Sequence, residues 1–501
     1  MIYDDFKSVR RILRDHSFDS ISIQLAKKLR EQENAGVQSW MKYAPWHLAL
    51  LLKWAIIHSE EKYPTKSLQP LMFERMCRIT HNMWSDLRSE FLGKGIRKGA
   101  EKFFRITSHH QFAFQAGFSK WTIPRQLILF GSKGSENFNE YFRQASKLSI
   151  QEFLEYSLCV WGWFSTNRNK PLFSASLFFS GFIGKETETR AFIEYFGLSR
   201  DQVKERLTSG HVIRDINLEI VESSPMYKYP AISIGTNLLM ISSRMFETYL
   251  DMHLYECAKG SNDSSIRSWL SDSIEEYVGR TLASTSLKLL PESELQRRFL
   301  GKKVTDYLVV NDDCILLVEV KSVELSPIAR VRPTKEIMEK DLRAGVSRAY
   351  IQGYSLLEQL LMDNELNKTI GSVPVYLMVV TYKDLYLGTG IDCWDEFAEE
   401  AVREAIPRTD ALLTLLPPQN TIVGTIRELD QIAGFGKLDR SSLATFFAKM
   451  SSENKDPTTR RWMLQQHINE FLKDNQLDEP QPFDSTLEEC INRIRPCLPN
   501  T

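Results

Sequence analysis

The sequence predicts an α/β core, a mixed central sheet flanked by helices, with a large mostly helical N-terminal domain before it and a helical C-terminal tail after it. Three observations carry that expectation. Within residues 304–322, two short runs rich in β-branched residues and Leu are separated by a polar turn, the pattern of a strand hairpin. After it, Leu342, Val346, Ala349, Gly353, Leu356 and Leu360 recur at helical spacing, and a strongly apolar run, 373–382, follows. Before it, residues 1 to about 220 read as helical, with Trp46, Leu50, Trp54 and Ile57 on one stripe.

The composition fits that picture. Of 501 residues, 43% are hydrophobic and 25% charged, which is ordinary for soluble globular chains and enough for two or three domains. The formal net charge is -1, so a nucleic-acid partner has to be held by a local basic surface and not by bulk attraction. The seven cysteines are scattered without a CxxC, and none pairs with a His at zinc-finger spacing. That predicts reduced thiols in a cytoplasmic protein. The first residues carry charges throughout and lack the apolar stretch of a signal peptide. The longest apolar run, 46–57, is broken by Lys53 and is too short to span a bilayer, so no membrane partner is expected.

Residues 1–225 are read as one helical domain. Trp121, Trp161, Trp163, Phe173, Phe178, Phe179 and Phe182 supply aromatic bulk for packing, with base stacking the rarer use of such rings. A basic stretch carries Arg88, Lys94, Arg97, Lys98, Lys102 and Arg105 against Glu90 and Glu101. Lys94, Lys98 and Lys102 are four apart and would align on one helix face, either a phosphate-contacting surface or a solvated one. The glycine-containing segments 131–134 and 434–437 lack the spacing of a triphosphate-binding loop and read as turns. His109 and His110 lack a spaced third ligand.

Turn formers at 222–230 mark a boundary, and the core is placed at 229–435. It opens with strand-like runs at 231–235 and 238–241 and helices at 243–258 and 265–283. The second helix carries Ile266, Trp269, Leu270, Ile274, Tyr277 and Val278 as its apolar stripe. The hairpin follows. Next come a loop-like segment, 323–333, with Arg330 and Arg332 near the hairpin's end, a long helix over 334–363, the strand 373–382 and a further strand near 420–426. Residues 436–501 read as a helical extension broken at 451–459.

The hairpin concentrates the chemistry. Asp306 stands at the mouth of its first run, and Glu319 and Lys321 close the second. Residues two apart share a strand face, so Glu319 and Lys321 point the same way. Charges beside a core lose hydration, and the natural compensation is Asp306, a divalent cation or a substrate phosphate. Carboxylates suit Mg²⁺ or Mn²⁺, which acidify a bound water and stabilise charge on a phosphoryl oxygen. A neighbouring Lys orients that water or stabilises the anionic transition state. The tripeptide Glu-x-Lys also occurs at 60–62 and 453–455, in neither case closing an apolar strand. The plain alternative for the hairpin is an edge strand with a solvated Glu–Lys pair.

This layout, with Asp306 opening one strand and Glu319-Val320-Lys321 closing the next, resembles the PD-(D/E)XK nuclease superfamily. The resemblance implies a nuclease core hydrolysing phosphodiesters with Mg²⁺ (or Mn²⁺). Asp306 and Glu319 would be ligands, the backbone carbonyl of Val320 a further one, and Lys321 would act on the water. Members often carry a Glu within a hydrophobic-Glu-x-Tyr-Val pattern on the helix before the hairpin, matched here by Glu275, which would join the metal ligands, with Glu276 as the fallback. Many also carry a Gln on the helix after it, matched by Gln352. The implied catalytic set is therefore Asp306, Glu319, Lys321, Gln352 and Glu275. DNA is expected ahead of RNA, with Lys94, Arg97, Lys98, Lys102, Arg105, Arg330 and Arg332 as the candidate nucleic-acid contacts. A homo-oligomer or a partner subunit is also in keeping with a near-neutral chain. By analogy of layout, the setting is bacterial defence against phage or mobile DNA. The rivals are an RNA-cleaving nuclease, a non-catalytic nucleic-acid-binding or scaffold protein on a nuclease-like fold, and an enzyme whose site lies in the helical half.

Overall fold

A computed structural model of the chain describes residues 2–35, 40, 42–60, 66–92, 96–115, 119, 121–132, 134–182, 184–209, 215–285, 287–438, 440–456, 458–478 and 483–497. The side chains of 88–92, 96–100, 438, 440, 441 and 484 are outside that description. The chain is mostly helical with two small mixed sheets. It divides into two compact units, one of Met1–Arg267, Arg330–Arg332 and Phe483–Thr501, the other of Ser268–Ala329 and Pro333–Pro482.

In the first unit the helices Ile2–Asp15, Phe18–Ala35, Pro45–His58 and Pro70–Leu92 build an aliphatic and aromatic core. Helix Pro45–His58 is apolar on nearly every side, so its one buried cation needs partners. Lys53, 1% exposed, finds them in Glu219 at 2.8 Å and Glu222 at 2.9 Å. Arg30 is equally buried and is used differently. Its guanidinium donates to the carbonyls of Asn167 at 2.6 Å, Arg168 at 3.0 Å and Lys170, just past helix Ile150–Thr166, and stacks on Trp163 and Phe164. A cation among carbonyls at a helix C-terminus is favourable on both hydrogen-bonding and dipole grounds.

The same unit holds a four-stranded sheet of β1 (Leu172–Phe173), β2 (Gly197–Ser199), β3 (Ala231–Ile234) and β4 (Asn237–Met240), in the order β1-β4-β3-β2. The sequence assigns β3 and β4 to the core that begins at 229. In the structure they pair with β1 and β2 and stay with the helical unit, which runs on to Arg267. The local reading of both strands holds; their partners are set by contacts distant in sequence, which a turn-rich boundary signal does not encode.

The second unit is built on a five-stranded sheet of β5 (Lys288–Pro291), β6 (Tyr307–Val310), β7 (Ile315–Lys321), β8 (Val375–Thr381) and β9 (Thr421–Thr425), in that order. Pairing is antiparallel from β5 to β7 and parallel from β7 to β9. Strand β8 is buried at every residue, as a central parallel strand covered on both faces should be. Helix Ser264–Ala283 precedes the sheet, and the segment after β7 packs on it, with Gly353 so close that a Cβ there would lie 2.9 Å from Leu377.

Three local expectations change. The helix predicted over 334–363 is a helix Lys335–Leu342, a π turn Arg343–Ser347 and a helix Arg348–Met362. The wider turn seats Gly345 on Val323, 2.8 Å from where a Cβ would stand. It also lets Ser347 Oγ donate to the Phe397 carbonyl at 2.7 Å, itself inside a second π turn, Trp394–Ala398. The predicted turn at 434–437 lies inside helix Ile426–Leu438, where Gly436 makes room for Thr285. Of the expected extension, helices Arg440–Lys455 and Leu464–Asp474 fall in the second unit, while Asp484–Ile494 groups with the first.

Candidate active site

The register of β6 on β7 sets Tyr307 against Val318, so Asp306, one residue before β6, comes opposite Glu319. Two hydrogen bonds cross between them. Asp306 N–H donates to Glu319 Oε2 at 3.2 Å, and Val320 N–H donates to Asp306 Oδ2 at 2.6 Å. Lys321 Nζ pairs with Glu319 Oε1. Glu319 has no exposed surface, and both of its oxygens are engaged.

Glu275 arrives from helix Ser264–Ala283. Burial of Ile266, Leu270, Ile274, Tyr277 and Val278 orients that helix, leaving Glu275 half-buried and Glu276 exposed beside Arg280 at 3.8 Å. The helix comes close to the hairpin at Tyr307. Tyr307 Oη donates to the Glu275 carbonyl at 2.9 Å, and a Cβ on Gly279 would lie 2.4 Å from that same oxygen. Any side chain at 279 pushes helix and strand apart.

A fourth acid, Glu292, was not singled out from the sequence. It opens helix Glu292–Arg298 directly after β5, and β5 lies along β6 with Pro291 opposite Tyr307. Glu292 N–H donates to the Asp306 carbonyl at 2.6 Å, and its Oε1 accepts from Gln296 at 2.7 Å. Carboxylate oxygens of Glu275, Glu292 and Asp306 all lie within 4.8 Å of one another, and among the described residues no other group of three such ligands meets that test. The signal that points to Glu292 is the short apolar run Lys288–Pro291, which pairs with the Asp306 strand and so carries its next residue to the same end.

Crowding shows in the protonation of these groups. Burial, then Asp306 and Glu292, push Glu275 up to about 7. Burial also raises Asp306, against the Val320 N–H and Lys321. Glu319 is pushed up to about 8 by burial and by Asp306, with Lys321 opposing. Acids that resist ionising together are those a cation relieves. Gln352 completes the surroundings. Its Nε2 donates to the Val304 carbonyl at 3.1 Å, bracing the segment that leads into Asp306, while its Oε1 is buried and takes no hydrogen bond from any described residue. The three grouped donors are carboxylate oxygens, the chemistry that Mg²⁺ and Mn²⁺ prefer.

The basic candidates lie on other segments of the chain. Lys94 and the side chains of Arg97 and Lys98 are outside the described residues. Lys102 is exposed on helix Ile96–Gln111, but Arg105 is only 5% exposed, so its guanidinium is turned into the protein and not toward a phosphate. Arg330 and Arg332 are expected near the hairpin's end. Arg330 lies on a short helix, Pro327–Val331, and both residues group with the first unit, where Arg330 acts electrostatically on His109 and Glu222. His110 is buried among Trp46 and Trp84 and held neutral by burial, its pKa lowered to about 3. The Glu-x-Lys at 60–62 lies partly outside the described residues; at 453–455 it ends helix Arg440–Lys455, with Glu453 bonded to His467 at 2.7 Å. No family description, curated protein or solved structure compared with this chain matches it. Among the described residues, no helix is long and apolar enough to cross a membrane.

Proposed function

We propose that the chain is a metal-dependent nuclease of PD-(D/E)XK type that hydrolyses phosphodiester bonds, with DNA ahead of RNA as its substrate. The observation that carries this reading is the meeting, at Asp306, of an acidic triad with the hairpin that bears Glu319 and Lys321. A solvated Glu–Lys pair does not account for a Glu319 without exposed surface.

In this scheme Glu275, Glu292 and Asp306 would hold the cation, while Glu319, expected as a ligand, would not, because the Asp306 N–H and Lys321 already engage both of its oxygens. When bound, a divalent cation supplies Lewis-acid stabilisation of the phosphoryl oxygen and an acidified water. Glu319 acts through Lys321, fixing the ammonium by ion pairing, and through the Asp306 N–H, fixing the strand mouth. Lys321 then presents positive charge where the phosphorane-like transition state accumulates negative charge. Gln352 Oε1 is an acceptor for a water hydrogen and orients the nucleophile. Val320 contributes its N–H to Asp306; a carbonyl ligand at that position belongs to the same proposal.

The test is cleavage of supercoiled plasmid and of single-stranded RNA with Mg²⁺ or Mn²⁺, comparing the parent with Lys321→Ala and Glu292→Ala. Loss of cleavage in both variants, with unchanged circular dichroism, supports the scheme. Full activity in Glu292→Ala removes that residue from the metal site, and full activity in Lys321→Ala sinks the hairpin as the catalytic centre.

A further inference from the structure

Between helix Glu292–Arg298 and β6 the chain makes a short turn of unusual make-up. Leu300 is 82% exposed at its tip. Gly301 follows with φ at 70°, and a Cβ there would meet nothing within 4 Å, so the tip stands in open space. Lys302 and Lys303 come next, both exposed. A single surface leucine is ordinary in itself. What distinguishes this one is that its turn is braced on both sides and feeds directly into the acidic site.

The bracing is specific. Phe299 N–H donates to the Leu295 carbonyl at 2.8 Å, and Lys302 N–H to the Phe299 carbonyl at 3.1 Å. Arg298 holds the two oxygens of Asp363 at 2.6 Å each and Glu365 at 2.9 Å. On the other side, Ser355 Oγ donates to the Lys303 carbonyl at 3.0 Å, and Gln352 donates to that of Val304. A leucine and two ammonium groups are therefore displayed from a fixed backbone. Lys303 is three residues from Asp306, which bounds their Cα separation at ~10 Å, about three base steps of a nucleic-acid strand.

Resting on the nuclease reading above, we infer that the 299–303 turn is the substrate-contacting element of this site. Lys302 and Lys303 take phosphates next to the scissile one, and Leu300 wedges against bases, favouring duplex that is already opened or kinked. Cations beside an exposed aliphatic tip are the combination that grips a backbone while unstacking a base step.

The test uses full-length protein carrying Lys321→Ala to suppress cleavage, with binding followed by fluorescence anisotropy. Its probes are an intact DNA duplex, the same duplex with a single-base bulge, and a single strand. Leu300→Ala, a change at an exposed site, should remove about a tenfold preference for the bulged duplex while leaving intact duplex nearly unchanged. Lys302→Ala with Lys303→Ala should weaken binding to all three and reduce the slope of log affinity against log salt by about 2. Parent-like behaviour in both variants, or no binding to any probe by the Lys321→Ala parent, overturns the inference. Cleavage by the otherwise unmodified chain is assayed in parallel and separates the two readings. Cleavage that ignores Leu300, Lys302 and Lys303 leaves the nuclease without this element. Binding that depends on them in a chain that never cleaves leaves the element without the nuclease.

Discussion

Glu275 and Glu319 titrate near 7 and 8 because burial and neighbouring carboxylates oppose their ionisation. Their ordinary value is 4.5, so the folded protein holds these protons more tightly than the unfolded chain. The associated stabilisation is complete below about pH 4.5 and is lost as pH rises through 7 to 8. Asp384 and Glu428 are raised in the same direction, first by burial. A Glu275→Gln, Glu319→Gln variant keeps that second pair, so its melting temperature should fall less than the parent's between about pH 5.5 and about pH 8.5. Equal slopes in metal-free buffer would show that the site acids do not carry the effect. Lys53 gives a prediction of another kind. Lys53→Met strands Glu219 and Glu222 without their cation and should cost about 3 kcal/mol in urea unfolding. A triple variant that also neutralises both acids should recover much of the loss, and failure to recover would point to lost packing instead.

At the scale of elements, the approach of helix Ser264–Ala283 to β6 decides whether Glu275 reaches the other acids. Gly279→Ala places a methyl group against the Tyr307 hydroxyl and should destabilise by about 1–3 kcal/mol. It should also weaken Mn²⁺ binding measured by calorimetry, because the strain lies between two ligand-bearing elements. Tyr307→Leu in that background should restore part of the stability, and simple additivity of the two changes would argue against the contact. These elements were legible to different degrees. The hairpin and the Glu275 helix could be read because alternation and an apolar stripe are local signals. Strand β5 could not, since four residues ending in Pro carry little pattern, and Glu292 was missed with it. The π turn is invisible because the stripe from Leu342 to Leu360 continues through it. The burial of Arg105 is not legible in the sequence, because charge in a helical stretch does not reveal which side packs, and Arg105 lies beside Ile106 in a buried stretch.

At the scale of the whole chain, the first unit closes its sheet with strands that come after the turn-rich 222–230 segment. A fragment 1–225 lacks both β3 and β4, leaving β1 and β2 without their partners and uncovering Phe173 and Leu198. It should aggregate or elute as a broad species in size-exclusion chromatography, since unpaired strand edges with apolar side chains associate. A fragment 1–263 keeps all four strands and should elute as one sharp species with a cooperative melt. Both lack 330–332 and 483–501, so the comparison isolates the hairpin Ala231–Met240. Identical behaviour would place the folding limit at the earlier boundary.

The resistance of Glu275 to ionising, caused first by burial and then by Asp306 and Glu292, has a consequence for how the proposed metal centre would load. A Glu275 pushed up to about 7 is partly protonated at neutral pH and would give up that proton when a divalent cation arrives, so loading would exchange a cation for protons. The heat of Mn²⁺ binding should therefore differ between buffers in proportion to their own ionisation enthalpies. The sign should be that of protons released to the buffer, and the amount should shrink above about pH 8, where Glu275 is already bare. In that scheme local acidity would set how full the centre is at a given cation concentration, independently of how much substrate is present.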